Sequence, residues 1–202
     1  MPLLSTAMKG FIALKAASKA INGTKFTLLA GSIASASCKY VLASAMVTST
    51  NVALGPGSGT QTGKVSGLSE MLMSSLMTLK AASSGLTGRD IQKLFSAVSF
   101  GVVQGMKTAL LQGTLVGAGP GSGTGKIINL VPSALTVILM GLCAGQSLSG
   151  QKLQALCSAI SFGICNHIMI NGLVTVTDIG VAAGPPAGPV SIPALPGIGR
   201  LV

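Results

Sequence analysis

Acidic side chains are almost missing from this sequence: Glu70, Asp90 and Asp178 are the three carboxylates among 202 residues, and His167 is the one histidine. General acid–base chemistry and nucleophile activation both need such groups beside a reacting atom, so an enzyme is not expected. Tryptophan is absent, aromatic residues make up 3% and charged residues 8%, where soluble chains carry roughly 25% charged residues. Apolar residues reach 49% and the mean hydropathy is +0.72, which excludes an intrinsically disordered chain. The 28 glycines follow no Gly-X-Y period, which excludes a collagen.

What charge there is has largely one sign. Thirteen Lys and Arg give a formal net charge of +10, a balance that suits nucleic acid, an anionic membrane surface or an acidic protein face. The lysines stand singly rather than in runs, and residues 1–62 hold five of them with no acid. Cys38, Cys143, Cys157 and Cys165 match neither a CxxC pair nor a zinc-ligand spacing. Buried free thiols in a protein made in a reducing cytoplasm are expected, with no metal and no cofactor. Lys9, Lys15 and Lys19 interrupt Met1–Ile21, so no cleavable leader is expected there.

Self-similarity organises the chain. Leu86-Thr-Gly-Arg-Asp-Ile-Gln-Lys-Leu-Phe-Ser-Ala-Val-Ser-Phe-Gly-Val102 returns 62 residues later as Leu148-Ser-Gly-Gln-Lys-Leu-Gln-Ala-Leu-Cys-Ser-Ala-Ile-Ser-Phe-Gly-Ile164. Gly55-Pro-Gly-Ser-Gly-Thr-Gln-Thr-Gly-Lys-Val65 returns as Gly119-Pro-Gly-Ser-Gly-Thr-Gly-Lys-Ile127. A fainter first copy pairs Leu14–Ser18 with Leu79–Ser83, and Ala30–Leu54 with Phe95–Ala118. The chain therefore divides into a divergent repeat over 1–62, a second over 63–124, a third over 125–183 and a Pro/Gly-rich tail over 184–202.

Within the second copy, Ser69 is placed to cap a helix with Glu70 in its first turn, running to about Ala82. A second helix starts near Thr87 or Gly88. Its apolar residues Ile91, Leu94, Phe95, Val98 and Val102 make one stripe, repeated in the third copy as Leu153, Leu156, Cys157, Ile160 and Ile164. Pro132 suits the first turn of the third copy's first helix. Thr- and Val-rich segments at 47–52, 114–116 and 174–177 each read as one short strand. The expected fold is mainly α: three tandem helix-turn-helix units with short strands and Gly-rich loops, and at most a small α+β character.

Three sharper motifs stand beside the repeat. The Gly-Lys endings of the glycine loops fail as a P-loop: the leading glycine is Pro120 or Ser58, and the residue after the lysine is Ile127 or Val65. A compact turn with Lys64 and Lys126 opening the next helix is expected instead. Lys is mildly unfavourable at a helix start, so its recurrence marks either a contact with an acid on another subunit or an accident of the duplication. His167 lacks an acid partner and reads as a packed histidine. Ile127–Leu148 is 22 residues without a charge, long enough to span a bilayer. Against a membrane span stand the missing aromatic belt and the absence of charge asymmetry, with Lys64 and Lys126 at one end of the helical pairs and Arg89 and Lys152 at the other.

So few charges leave a chain with apolar surface to cover, the mark of permanent contacts. The glycine segments at 55–65 and 119–127, together with LTGRDIQKLFSAVSFG at 86–101, resemble the repeats of uncharacterised glycine-loop virion structural proteins of tailed bacteriophages. Those of contractile-tailed phages are most similar. The resemblance covers residues 25–202, and Pro193–Val202 is similar to the ends of such proteins, while Asn22–Lys25 departs from the Thr-Gly-Arg-Asp turn. It implies no activity, only a place in the particle. The expectation is a virion structural protein packed as multiple copies in the tail or baseplate, contacting itself, other virion proteins and packaged DNA, with Lys64, Lys126, Arg89 and Lys93 as candidate contacts. The alternatives are an oligomeric membrane protein (a pore or holin-like lesion former) and a DNA-associated internal head protein.

Overall fold

A computed structural model describes residues 3–53, 59–116, 122–178 and 195–201. It lays the chain out as three units of two helices and two strands. The first comprises α1 (Ser5–Ala17), α2 (Thr24–Ser44), β1 (Met46–Ala53) and β2 (Gly59–Ser66). The second comprises α3 (Glu70–Ala82), α4 (Arg89–Thr108), β3 (Leu110–Val116) and β4 (Ser122–Ile128). The third comprises α5 (Pro132–Gly145), α6 (Leu153–Asn171), β5 (Leu173–Asp178) and β6 (Leu195–Leu201).

The helices form one layer in which each packs on its chain neighbours and α6 returns to α1. Below it the six strands close into an antiparallel barrel, β1-β2-β3-β4-β5-β6, with β6 hydrogen-bonded to both β5 and β1. This corrects the mainly α expectation. The glycine segments read as loops carry strands β2 and β4, and the Pro/Gly-rich tail carries β6. Pro196 stands near the start of β6, opposite Thr50 of β1 and before the β5–β6 ladder begins at Gly197, the part of a strand where proline is tolerated.

The three units are alike in detail. Each helix pair is joined by the same turn: Ile21, Leu86 and Leu148 donate their N–H to the carbonyls of Ala16, Ala81 and Cys143, all at 2.9 Å. That closure puts one residue in the left-handed region, Gly85 at φ 74° in the second unit. Ala20 (φ 53°) and Ser147 (φ 57°) occupy the same place in the others at some steric cost. The outer helices bury one residue per turn on one face: Met8, Ile12 and Ala16, then Met73, Met77 and Ala81, then Leu135, Leu139 and Cys143. Fully burying a Leu, Ile or Met contributes roughly 1.5–3 kcal/mol. The stripe expected on α4 is there, with Leu94, Phe95, Val98 and Val102 buried and Ile91 packed at its edge. Where α1 crosses α6, Gly163 lies against the backbone and side chain of Ile12 with no room for a Cβ.

The barrel follows from what fits inside six strands. Eight strands leave a lumen that side chains just fill, and six leave less. Val47, Val65, Leu111, Ile127, Val174 and Leu201 are buried together as one branched aliphatic layer against the helices. At the next level the wall holds Ser49, Gly63, Gly113 and Gly125, with Val176 the bulky exception. A Cβ on Gly63 would stand 2.6 Å from the Thr48 carbonyl, one on Gly125 2.7 Å from Leu111 Cδ1, and one on Gly113 would collide with the backbone of Thr124 and Gly125.

Candidate functional site

Reactive groups are dispersed rather than assembled. Among the described residues no group of three His, Cys, Asp or Glu side chains could hold a metal ion. All four cysteines are free and buried. Burial pushes the Cys38, Cys157 and Cys165 thiols up to about 12 and raises Cys143 as well, so the reactive thiolate is scarce at neutral pH. His167 is fully buried on α6. Its Nδ1 lies 3.0 Å from Asn171 Nδ2, a geometry in which the amide donates and the ring proton sits on Nε2. That Nε2 has no partner among the described residues, and desolvation holds the imidazole pKa below its ordinary value. Ser69 does not cap α3 through its side chain; its backbone N–H donates to Tyr40 Oη at 2.7 Å instead.

The segment Ile127–Leu148, considered as a bilayer span, is no single helix. It ends β4, turns at 129–131 and forms α5 of 14 residues, about 21 Å at 1.5 Å per residue. Two other helices, Thr24–Ser44 and Leu153–Asn171, are long and apolar enough to cross a membrane, and half of each lies buried in the fold.

The four candidate contact residues fall into two groups. Lys64 and Lys126 do not open helices; they sit in β2 and β4 and point out from the barrel wall, exposed. Arg89 and Lys93 lie at the start of α4, at the end of the helix layer away from the barrel, because the other end of α4 leads directly into β3. There Lys93 Nζ pairs with Asp90 at 3.7 Å, and Arg89 is exposed.

The barrel register brings a third cation into line with the first two. Lys64 stands opposite Thr48 and Leu110, Lys126 opposite Gln112 and Leu173, and Arg200 opposite Thr175 and Met46. These are the same positions in the three units. Sequence reading missed Arg200 because its surroundings, Pro196-Gly-Ile-Gly-Arg-Leu201, no longer look like Ser122-Gly-Thr-Gly-Lys-Ile127. The surviving signal is Gly-Lys-Val, Gly-Lys-Ile and Gly-Arg-Leu at 63–65, 125–127 and 199–201. Around these cations the outward residues Thr48, Thr62, Gln112, Thr114, Thr124 and Thr175 are exposed and uncharged.

The second exposed feature is apolar. On α3, Met71, Leu72, Leu76 and Leu79 face outward, with Met71 78% and Leu79 67% exposed. Their spacing makes one stripe. Leu14 on α1 and Val137 on α5 are similarly exposed, at 69% and 73%. A groove of about 280 Å³ runs beside the stripe between α2 and α3, lined by Leu76, Leu79, Lys39 and Lys80. An apolar cavity of about 100 Å³ lies between α4, α5 and α6, lined mainly by aliphatic residues such as Val102, Leu135 and Ile164; it presents no reactive set. No protein-family model, curated protein or solved structure matches the chain.

Proposed function

We propose that the protein is a structural component of a tailed-phage particle, packing as multiple copies in the tail or baseplate region. The observation that carries the reading is surface left unsatisfied by the chain itself: α3 turns Met71, Leu72, Leu76 and Leu79 to the outside while its opposite face is already buried. Large apolar residues in one exposed stripe are the mark of an interface. Three like units around one axis also let the molecule meet threefold or sixfold neighbours through equivalent contacts. The resemblance to virion repeat proteins supports the same reading, and the scattered reactive groups do not argue for catalysis.

A membrane pore draws support from the two helices long enough to span, but the barrel is filled by six aliphatic side chains at its base. It offers no water path there. Quantitative mass spectrometry and immunogold labelling of gradient-purified particles test the proposal. The expected result is a copy number in multiples of three or six, with label at the tail or baseplate. Absence from washed particles, with the protein found in host membranes, overturns it.

A further inference from the structure

The barrel asks why its outer wall keeps three cations. In the tripeptides Gly63-Lys64-Val65 and Gly125-Lys126-Ile127 two residues have packing reasons, as does Leu201 in Gly199-Arg200-Leu201. Val65, Ile127 and Leu201 fill the barrel, and a Cβ at Gly63 or Gly125 would strike the neighbouring strand. The middle residue has none. Lys64, Lys126 and Arg200 are exposed, and none has an ion-pair partner among the described residues. Lysine is a weaker strand former than the threonine that occupies neighbouring outward positions. Nor does it guard a sheet edge, the usual reason for lysine on a strand, because a closed barrel has no edge. The residues around it have diverged from Gln61-Thr to Gly123-Thr to Gly197-Ile, yet the positive charge stands in all three units.

We infer that Lys64, Lys126 and Arg200 form a threefold cationic ring that seats the barrel in a protein collar of threefold symmetry presenting one acidic patch per subunit. Consecutive cations are two strands apart, about 10 Å along the wall, and they face out on three sides of the barrel. A linear polyanion such as duplex DNA reaches one side at a time, whereas a symmetric collar meets all three at once. Among the described residues the chain's own acids form no such patch: Glu70 accepts from Gln104 Nε2 at 2.9 Å and Asp90 is paired with Lys93. This inference deepens the assembly reading and rests on it. The particle-labelling experiment decides that reading separately, so the ring can fail while it stands.

The test uses a synthetic collar: a trimeric coiled coil carrying one Asp/Glu-rich peptide per chain on a flexible Gly/Ser linker, beside the same peptide on a monomeric carrier and a short DNA duplex. Linked binding events gain on the order of 10²–10⁴ when geometry allows simultaneous contact. The trivalent probe is expected to bind at least about 100-fold tighter than the monovalent peptide. The triple variant Lys64→Gln, Lys126→Gln, Arg200→Gln should abolish that gain. The charge-matched control Lys9→Gln, Lys39→Gln, Lys80→Gln, on the helix layer, should keep it. Thermal melts confirm folding, since all three ring positions are exposed. The inference is overturned if the trivalent probe gains nothing, if the control loses as much as the ring variant, or if the ring variant loses only DNA binding.

Discussion

At equivalent places on the outer helices the protein holds Met8, Met73 and Leu135, then Ile12, Met77 and Leu139, then Ala16, Ala81 and Cys143. At equivalent places on the second strands it holds Gly63, Gly125 and Gly199, then Lys64, Lys126 and Arg200. The two layers come from the same three units, yet the helix layer exchanges side chains where the second strands keep theirs, even though the facing first strands hold Ser49, Gly113 and Val176. Packing explains the glycines but not the cations. Helix faces can repack around flexible Met and Leu at modest cost, whereas a Cβ on Gly63 would meet the Thr48 carbonyl of the facing strand; the exposed cations have no packing reason to stay.

The largest effect should come from breaking the barrel. Gly113→Val places its side chain against the backbone of Thr124 and Gly125, so a loss of about 3 kcal/mol or more is expected in urea unfolding. A loss below about 1 kcal/mol would show that the wall is not tightly closed there. In the helix layer, Leu139→Ala should cost about 2–4 kcal/mol through the cavity it leaves, while Met77→Leu should stay under about 1.5 kcal/mol. Equal costs for those two would remove the claim that the helix layer repacks.

The pH response sharpens the contrast from within the helix layer. Burial holds the His167 imidazole below its ordinary 6.5. As pH falls below about 6.5 the unfolded chain takes up a proton that the native protein resists, so stability is level above that pH and declines beneath it. His167→Gln should flatten the decline between about pH 6.5 and pH 5, a range above the ordinary carboxylate pKa values. Identical urea midpoints across that range in both proteins would contradict it. The smallest effect concerns the shared turn. Ala20→Gly and Ser147→Gly put into the first and third units the residue that the second has at Gly85. Each should stabilise by about 0.5–1 kcal/mol, the left-handed penalty less the entropy of the added glycine; destabilisation would mean the three turns are not equivalent.

The helix layer was legible in the sequence and the barrel was not. Both stripes, the Pro132 start and the Ala82 end stand within a residue or two of their expected places, because buried apolar residues recur with the helical period. Gly-Thr-Gly-Lys-Ile reads as a turn, since glycine is a poor strand former in isolation; only the crowded barrel makes glycine the residue that fits. Closure depends on pairing Met46–Asn51 with Leu195–Arg200, some 150 positions away, which local patterning does not encode. Lys64 and Lys126 stand out by their repetition, but Gly-Lys after a glycine segment reads as a helix start, and only the barrel register gives Arg200 a reason to join them. The exposed stripe of α3 was hidden as well. Met71, Leu72, Leu76 and Leu79 look like core until the opposite face, Met73 and Met77, is seen to be the buried one.

Size-exclusion chromatography with light scattering, on protein extracted without detergent, tests the assembly reading most directly. The account predicts a discrete soluble oligomer, three- or sixfold, that dissociates when Leu72, Leu76 and Leu79 are replaced by Gln. A lone 19.9 kDa species at every concentration, or one that pellets with membranes and becomes monodisperse only in detergent, would contradict it.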